Sequence, residues 1–140
     1  EDAVAATRAA AEEGVVPGGG IAYLRAAAAI ADAKIKGAGE KIGAEILTRA
    51  LAAPTRQIAS NAGRDGELIV EQLKEAAINQ GYDAASDQIV DMIEAGIVDP
   101  LKVTRLAVEN AASIASLLAS TQAVICKTPE KEDNHEDHMD

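Results

Sequence analysis

Three consecutive glycines, Gly18, Gly19 and Gly20, follow a short segment ending in Pro17 and precede a stretch with helical periodicity. A backbone without side chains lets a ligand approach closely, and the N-terminus of the following helix would offer free N–H groups to an anion. The triplet is not a Walker A loop, because no Lys-Ser/Thr pair follows it, and a helix rather than a strand precedes it, unlike the Rossmann fingerprint. A flexible turn between two helices explains the same residues, so the triplet alone leaves both interpretations open.

Two aspartates are further candidates for chemistry. Asp2 could orient a water molecule or hold Mg²⁺ beside a phosphate, and Asp99, in the string Gly-Ile-Val-Asp-Pro, could accept hydrogen bonds from ribose hydroxyls. Each aspartate also stands near the start of a predicted helix, where a carboxylate commonly serves as N-cap. For each residue taken alone, the capping role is the simpler explanation.

Other kinds of chemistry find little support in the composition. Two histidines, His135 and His138, and one cysteine, Cys126, make neither a zinc site nor a nucleophilic set. The formal net charge of -10 disfavours a nucleic-acid or anionic-membrane surface, and two tyrosines without Phe or Trp give no stacking platform for single strands. No apolar run approaches the roughly 18–20 residues that a membrane span needs. We therefore expect neither nucleic acid nor membrane as a partner.

The elements that must position these residues are mostly helices. Periodicity, glycines and prolines predict helices at 2–13, 21–35, about 41–61 with a bend or break at Pro54, 67–77, and from Pro100 to about 121. A small hairpin is predicted around 88–93, a short strand at 123–127 and a disordered acidic tail at 129–140. The predicted fold is mainly α with a small β-hairpin and a short C-terminal strand. The buried stripe of the last helix is predicted to consist of Val103, Leu106, Ala107, Asn110, Ile114 and Leu117.

Several strings, in this order, resemble the C-terminal equatorial segment of group I chaperonins of the GroEL type. The similarity runs over about 1–127, and its strings are Glu-Asp-Ala at 1–3, Ala-Thr-Arg-Ala-Ala at 6–10, Glu-Glu-Gly-Val-Val-Pro-Gly-Gly-Gly at 12–20, Gly-Tyr-Asp-Ala-Ala at 81–85, Gly-Ile-Val-Asp-Pro at 96–100 and Lys-Val-Thr-Arg at 102–105. The resemblance implies a multi-helical half of an equatorial ATPase domain that is assembled from both ends of a longer chain. Residues 1–13 would end the intermediate, hinge domain, residues 14–128 would form the C-terminal part of the equatorial domain, and 129–140 would be the tail.

The resemblance also implies roles for single residues. Asp2 matches the catalytic aspartate that positions the attacking water at the γ-phosphate. Within the triplet Gly18, Gly19 and Gly20, Gly19 matches a contact near the sugar and phosphates. The stretch Asp83, Ala84 and Ala85 matches the adenine contact, largely through backbone.

Two further positions complete the carried-over site. Ile97 resembles an apolar contact for the base, and Asp99 matches the aspartate that holds the ribose hydroxyls. The sequence departs from the family at Asp83, where the family commonly has Asn. An aspartate has no amide to donate, so a side-chain contact would be lost and a backbone contact would be kept.

The implied cofactors are ATP and Mg²⁺, with the magnesium held mainly by residues outside this sequence. The family's phosphate loop of Gly-Asp-Gly-Thr-Thr type and its apical domain are absent from these residues, and the chain begins with Glu1 rather than Met. We therefore expect a piece of a longer protein that is inactive by itself. The implied partners are identical subunits in stacked heptameric rings, a co-chaperonin lid and unfolded polypeptides, the last through the absent domains.

Two matters stay open at the level of sequence. The resemblance implies a location in the bacterial cytoplasm, with the mitochondrial matrix or plastid stroma as alternatives. The contrasting interpretation of the function is a helical interaction module without nucleotide chemistry, in which the glycines and aspartates serve only as turns and caps.

Overall fold

The computed structural model describes residues 2–123 and residue 125, and describes Asp2 by its backbone only. Its elements, in chain order, are α1 (Asp2–Glu13), β1 (Val15–Pro17), α2 (Ile21–Ala31), α3 (Ala38–Leu51), α4 (Ala53–Asn61), α5 (Gly66–Glu75), β2 (Gln80–Asp83), β3 (Gln88–Asp91), β4 (Val98–Pro100) and α6 (Leu101–Ala119). The strands pair as two separate antiparallel sheets, β1 with β4 and β2 with β3. The mainly helical fold with a small hairpin is confirmed.

The helix boundaries differ from the predicted ones where local chemistry changes. α2 ends at Ala31 rather than at residue 35, with Asp32 as its C-cap, a position where the helix dipole disfavours negative charge. Around Pro54 the chain makes two abutting helices, because α3 ends at Leu51 and α4 begins at Ala53. Pro54 then lies in the first turn of α4, where its missing N–H is not needed.

The β2–β3 hairpin begins earlier than the sequence suggested. Its first strand, β2, lies ahead of the predicted range 88–93, and residues 84–87 form the turn. Gly81 explains the position of this strand, because a Cβ there would stand 2.6 Å from Ile21 Cγ1 and 2.6 Å from Met92 Cγ. A glycine in a strand commonly marks such a close approach.

One buried cluster joins α2, α4, α5 and the hairpin. Its members are Ile21, Leu24, Ala52, Ala59, Val70, Leu73, Tyr82 and Met92. The cluster is almost entirely aliphatic, as expected of a chain with two tyrosines and no Phe or Trp. It fixes α2, and therefore the glycine triplet that precedes α2, against the hairpin.

The predicted buried stripe of α6 is wrong for the described part of the chain. Thr104 is the one buried residue of this helix, whereas Ile114 is 61% exposed and Leu117 is 67% exposed. Val103 and Leu106 are exposed as well, and so are Ala107 and Asn110. The stripe is apolar, but within the described residues α6 packs mainly against α1 and β4.

Two of the predicted C-terminal elements fall almost entirely outside the described residues. The predicted strand at 123–127 and the predicted tail at 129–140 lie outside the described residues, apart from Ala123 and Ile125, which belong to no strand. Among the helices of the described residues, none has the length and apolar character to cross a membrane.

Candidate functional site: the glycine turn and Asp99

The pairing of β1 with β4 brings two distant parts of the sequence together. Val16 is opposite Asp99 in this antiparallel pair. Just beyond the pair, the Gly18 N–H donates a hydrogen bond to the Ile97 carbonyl at 2.9 Å, and at the other end the Leu101 N–H donates to the Gly14 carbonyl at 3.0 Å. The glycine triplet and the Gly-Ile-Val-Asp-Pro string therefore lie side by side.

The triplet is a packed turn whose last residue must be glycine. Gly20 has φ 81°, in the left-handed region, and is the N-cap of α2. A Cβ at this position would stand 2.5 Å from Thr55 Oγ1 and 2.9 Å from Thr55 N. The buried Thr55 hydroxyl in turn donates to the Gly19 carbonyl at 3.1 Å. Packing within the chain thus fixes the turn, whatever else the turn binds.

Two backbone N–H groups of the same turn have no backbone partner among the described residues. The Ile21 N–H donates to the Gly18 carbonyl at 3.3 Å and the Tyr23 N–H to the Gly20 carbonyl at 3.1 Å. By contrast, the N–H groups of Gly19 and Gly20 meet no backbone carbonyl in the part of the chain that the structure describes. Free N–H groups at the start of a helix favour an anion.

The hairpin closes the other side of the turn. A Cβ at Gly19 would stand 2.8 Å from Met92 Cε and 3.6 Å from the Tyr82 carbonyl oxygen. The Ile97 N–H donates to the Met92 carbonyl at 2.8 Å, which ties the start of β4 to the segment after β3. The structure therefore brings together Gly18–Gly20, Ile97, Asp99 and Tyr82, the residue that precedes the Asp83–Ala85 stretch.

Asp83 uses its carboxylate within its own turn. It accepts hydrogen bonds from the Ser86 hydroxyl at 2.6 Å and from the Ala85 N–H at 2.9 Å. These bonds, the Ser86 bond first, hold the pKa of Asp83 below its usual value. Ala84 and Ala85 are exposed, so their backbone and methyl groups are open to a ligand.

Asp99 is the carboxylate that the structure leaves unused. The N-cap of α6 is Pro100, and no side chain caps that helix, so the predicted capping role of Asp99 is wrong. Burial raises the pKa of the Asp99 carboxyl, and neither a hydrogen bond nor a cation of the described residues opposes that rise. A half-buried carboxylate that accepts nothing from the described residues suits a ligand that offers hydroxyl donors.

Tyr23 is a neighbour that sequence reasoning missed. It lies in the first turn of α2 and is half-buried. Burial raises the pKa of its hydroxyl, and the negative charge of Asp99 raises it further. In the sequence, the feature that could have indicated its place near the site is its position three residues after Gly20.

Asp2 stands apart from this group. It begins α1, whose 12 residues extend for about 18 Å, whereas the glycine turn follows the opposite end. That opposite end is fixed to α6 by two ion pairs, Glu13 with Arg105 at 2.7 Å and Glu12 with Lys102. The side chain of Asp2 lies outside the described ones, so its predicted catalytic role stays a prediction.

The arrangement can hold an anion at the start of α2 and a pair of hydroxyls at Asp99. Within the described residues no group of three or more His, Cys, Asp or Glu residues could hold a metal ion. Hydroxyl and anionic groups of the kind that this arrangement could hold occur together in the sugar and phosphates of a nucleotide.

Comparison with known proteins places these features in a family. Residues 1–129 match the model of the TCP-1/cpn60 chaperonin family, so the chain belongs to that family. A group III chaperonin in the open state is 31% identical with a TM-score of 0.76, over 84% of this chain. An open-state monomer of a group II chaperonin from Methanococcoides burtonii shares the fold, with a TM-score of 0.74 over 81% of this chain at 24% identity.

The chain spans a minor part of these relatives. It covers 25% of the group III chain and 30% of the group II chain. The family is established by the match, whereas the group I subclass stays a prediction.

Proposed function

We propose that this chain is the C-terminal equatorial part of an ATP-dependent protein-folding chaperonin and that it supplies the sugar- and base-binding side of the ATPase site. The observation that carries the proposal is Asp99, a half-buried carboxylate without a partner among the described residues, beside the free N–H groups of the glycine turn. Family membership supports the same function.

In the proposed site each group has one task. Asp99 accepts hydrogen bonds from the ribose hydroxyls, and the N–H groups of Gly19 and Gly20 face the phosphates at the start of α2. Ile97 gives an apolar contact to the base. The backbone of Asp83–Ala85 contacts adenine, which leaves the Asp83 carboxylate to hold its own turn.

Hydrolysis requires groups that this sequence holds only in part. Asp2 would position the attacking water at the γ-phosphate from the far end of α1. Mg²⁺, when bound, neutralises charge on the phosphates, and its ligands are proposed to come from elsewhere in the parent protein. We expect the 140-residue chain alone to show no chaperonin-like turnover; ordinary turnover by the purified chain would contradict this.

The proposal extends to the whole protein through the family. The strings Glu-Glu-Gly-Val-Val-Pro-Gly-Gly-Gly and Asp-Pro-Leu-Lys-Val-Thr-Arg favour the group I subclass. The intact protein is then proposed to form stacked heptameric rings of identical subunits, to take a co-chaperonin lid and to fold unfolded polypeptides. Its proposed location is the bacterial cytoplasm, with an organelle matrix or stroma as the alternative.

The test uses the full-length parent protein and two substitutions. Asp99→Ala should weaken ADP binding at least tenfold, because the ribose loses hydrogen bonds to a charged acceptor. Asp2→Ala should leave ADP affinity nearly unchanged and should greatly reduce turnover. Glu94→Ala, which removes an exposed carboxylate from the neighbouring turn, is the matched control and should change neither.

The contrasting function is a helical interaction module without nucleotide chemistry. It predicts that ADP binding and turnover are the same in Asp99→Ala, Asp2→Ala and Glu94→Ala. That result would overturn the proposed site.

A further inference from the structure

The turn of the β2–β3 hairpin is held from outside by a small polar network. The Tyr82 hydroxyl donates to Asp87 Oδ1 at 2.9 Å. The guanidinium of Arg64 donates to both oxygens of the same carboxylate, from Nε to Oδ1 at 2.6 Å and from Nη2 to Oδ2. A bidentate pair of this kind fixes the relative orientation of the two side chains as well as their distance.

Arg64 is a well-placed anchor because its own backbone is fixed. It lies in the connection between α4 and α5, where the Arg64 N–H donates to the Ala59 carbonyl at 2.9 Å. The next residue, Asp65, is the N-cap of α5 and accepts from the N–H groups of Glu67 and Leu68. The network thus joins the hairpin turn to a rigid helix–helix corner.

At its other end the network reaches the residues proposed to contact the base. Asp87 closes the 84–87 turn with φ 57°, which makes it the one non-glycine residue with positive φ among the described residues. Tyr82 is 3% exposed and directly precedes Asp83 in β2. Any rotation of the Asp87 end of the turn would therefore move Ala84 and Ala85.

We propose that Arg64 and Asp87 are positioning residues for the base of a bound adenine nucleotide. Together with Tyr82 they hold the hairpin turn in one conformation, which fixes the positions of Ala84 and Ala85. The inference rests on the proposed nucleotide site and adds to it residues that do not touch the ligand. Both Arg64 and Asp87 are exposed, and an exposed ion pair contributes little to global stability. Its effect should therefore be seen in base recognition.

The experiment measures ADP and GDP binding to the full-length parent by calorimetry, for Arg64→Ala, Asp87→Asn and Tyr82→Phe. Asp87→Asn keeps a residue that tolerates positive φ, and Tyr82→Phe keeps the buried ring. Lys74→Ala, which removes an exposed cation from the ion pair with Glu71, is the matched control. We expect ADP affinity to fall about fivefold in the three variants, roughly what one net hydrogen bond is worth, with a smaller change for GDP.

The ratio of the two affinities separates a positioning role from a merely structural one. A narrowed preference for ADP over GDP, together with a melting temperature close to that of Lys74→Ala, supports the inference. An unchanged ratio overturns it, whether ADP affinity stays constant or both affinities fall together. Asp99→Ala, measured in parallel, separates failure of the positioning role from failure of the proposed nucleotide site. If Asp99→Ala weakens ADP binding while the ratio of ADP to GDP affinity stays constant in the other variants, only the positioning role is wrong. If Asp99→Ala has no effect on ADP binding, the proposed function is wrong as well.

Discussion

The two regions of this molecule differ in how much of their apolar surface they bury. Around α2, α4, α5 and the hairpin, Leu73 and Met92 are fully buried. In the pair formed by α1 and α6, Val4 and Leu117 are 62% and 67% exposed. The first region has a core of its own. In the second region, α1 and α6 are held together mainly by the β1–β4 backbone pairing near the glycine turn and by surface ion pairs.

The difference shows how the site is supported. Asp99 and the glycine triplet lie where the two regions meet, because β1 and β4 connect α1 and α6 to the packed part. The hairpin proposed to contact the base belongs to the well-packed region, and the proposed catalytic Asp2 begins the loosely covered one. In the proposed function, nucleotide binding and hydrolysis would therefore draw on regions that bury different amounts of apolar surface.

The largest effect on the free energy of unfolding is expected for one of two leucine variants, taken one from each region. Leu73→Ala should lower the free energy of unfolding by about 2–5 kcal/mol, because it leaves a cavity in a fully buried site. Leu117→Ala removes the same atoms from an exposed position and should change it by less than about 0.5 kcal/mol. Urea unfolding of the 140-residue chain, followed by circular dichroism, measures both. Equal losses would contradict the comparison.

A second pair of variants tests the glycine turn at the junction. Gly20→Ala should destabilise the chain by about 2–4 kcal/mol, since the left-handed backbone and the clash with Thr55 both oppose a Cβ. Gly43→Ala, in the middle of α3 with open space around it, should stabilise by up to about 1 kcal/mol. Thermal melts of the two variants should move in opposite directions; a shift of the same sign would show that packing does not fix the turn.

The smallest expected effect concerns the ion pairs between α1 and α6. The Arg105 guanidinium lowers the pKa of Glu13, so the pair contributes stability above the ordinary glutamate pKa of 4.5. That contribution is lost as the pH falls below 4.5 through the lowered value in the folded state. The chemical shift of the Glu13 carboxyl, followed by NMR from pH 7 downward, should titrate below 4.5 in the wild type and nearer to it in Arg105→Ala. Identical titrations in the wild type and in Arg105→Ala would show that Arg105 does not lower the pKa of Glu13.

Local structure was largely predictable from the sequence. The bounds of α1, the break at Pro54 and the presence of the hairpin follow from periodicity and from turn residues. The β1–β4 pair was missed, because each strand has three residues and the pairing joins distant segments. Amphipathicity correctly marked the apolar side of α6, but it gives no information about what covers that side.

The site was predictable in composition but not in arrangement. The resemblance named Gly18–Gly20 and Asp99, whereas their adjacency is a consequence of the β1–β4 register. The capping role expected for Asp99 was wrong because β4 extends to Pro100, which takes the capping position itself. The contributions of Tyr23, Arg64 and Asp87 depend on tertiary contacts that spacing in the sequence does not reveal.

The most direct test of the central claim is a structure of the full-length parent with bound ADP. Both ribose hydroxyls should lie within about 2.5–3.0 Å of the Asp99 carboxylate, and the phosphates should face the N–H groups at the start of α2. Density for ADP elsewhere, or an Asp99 carboxylate without contact to the sugar, would contradict it.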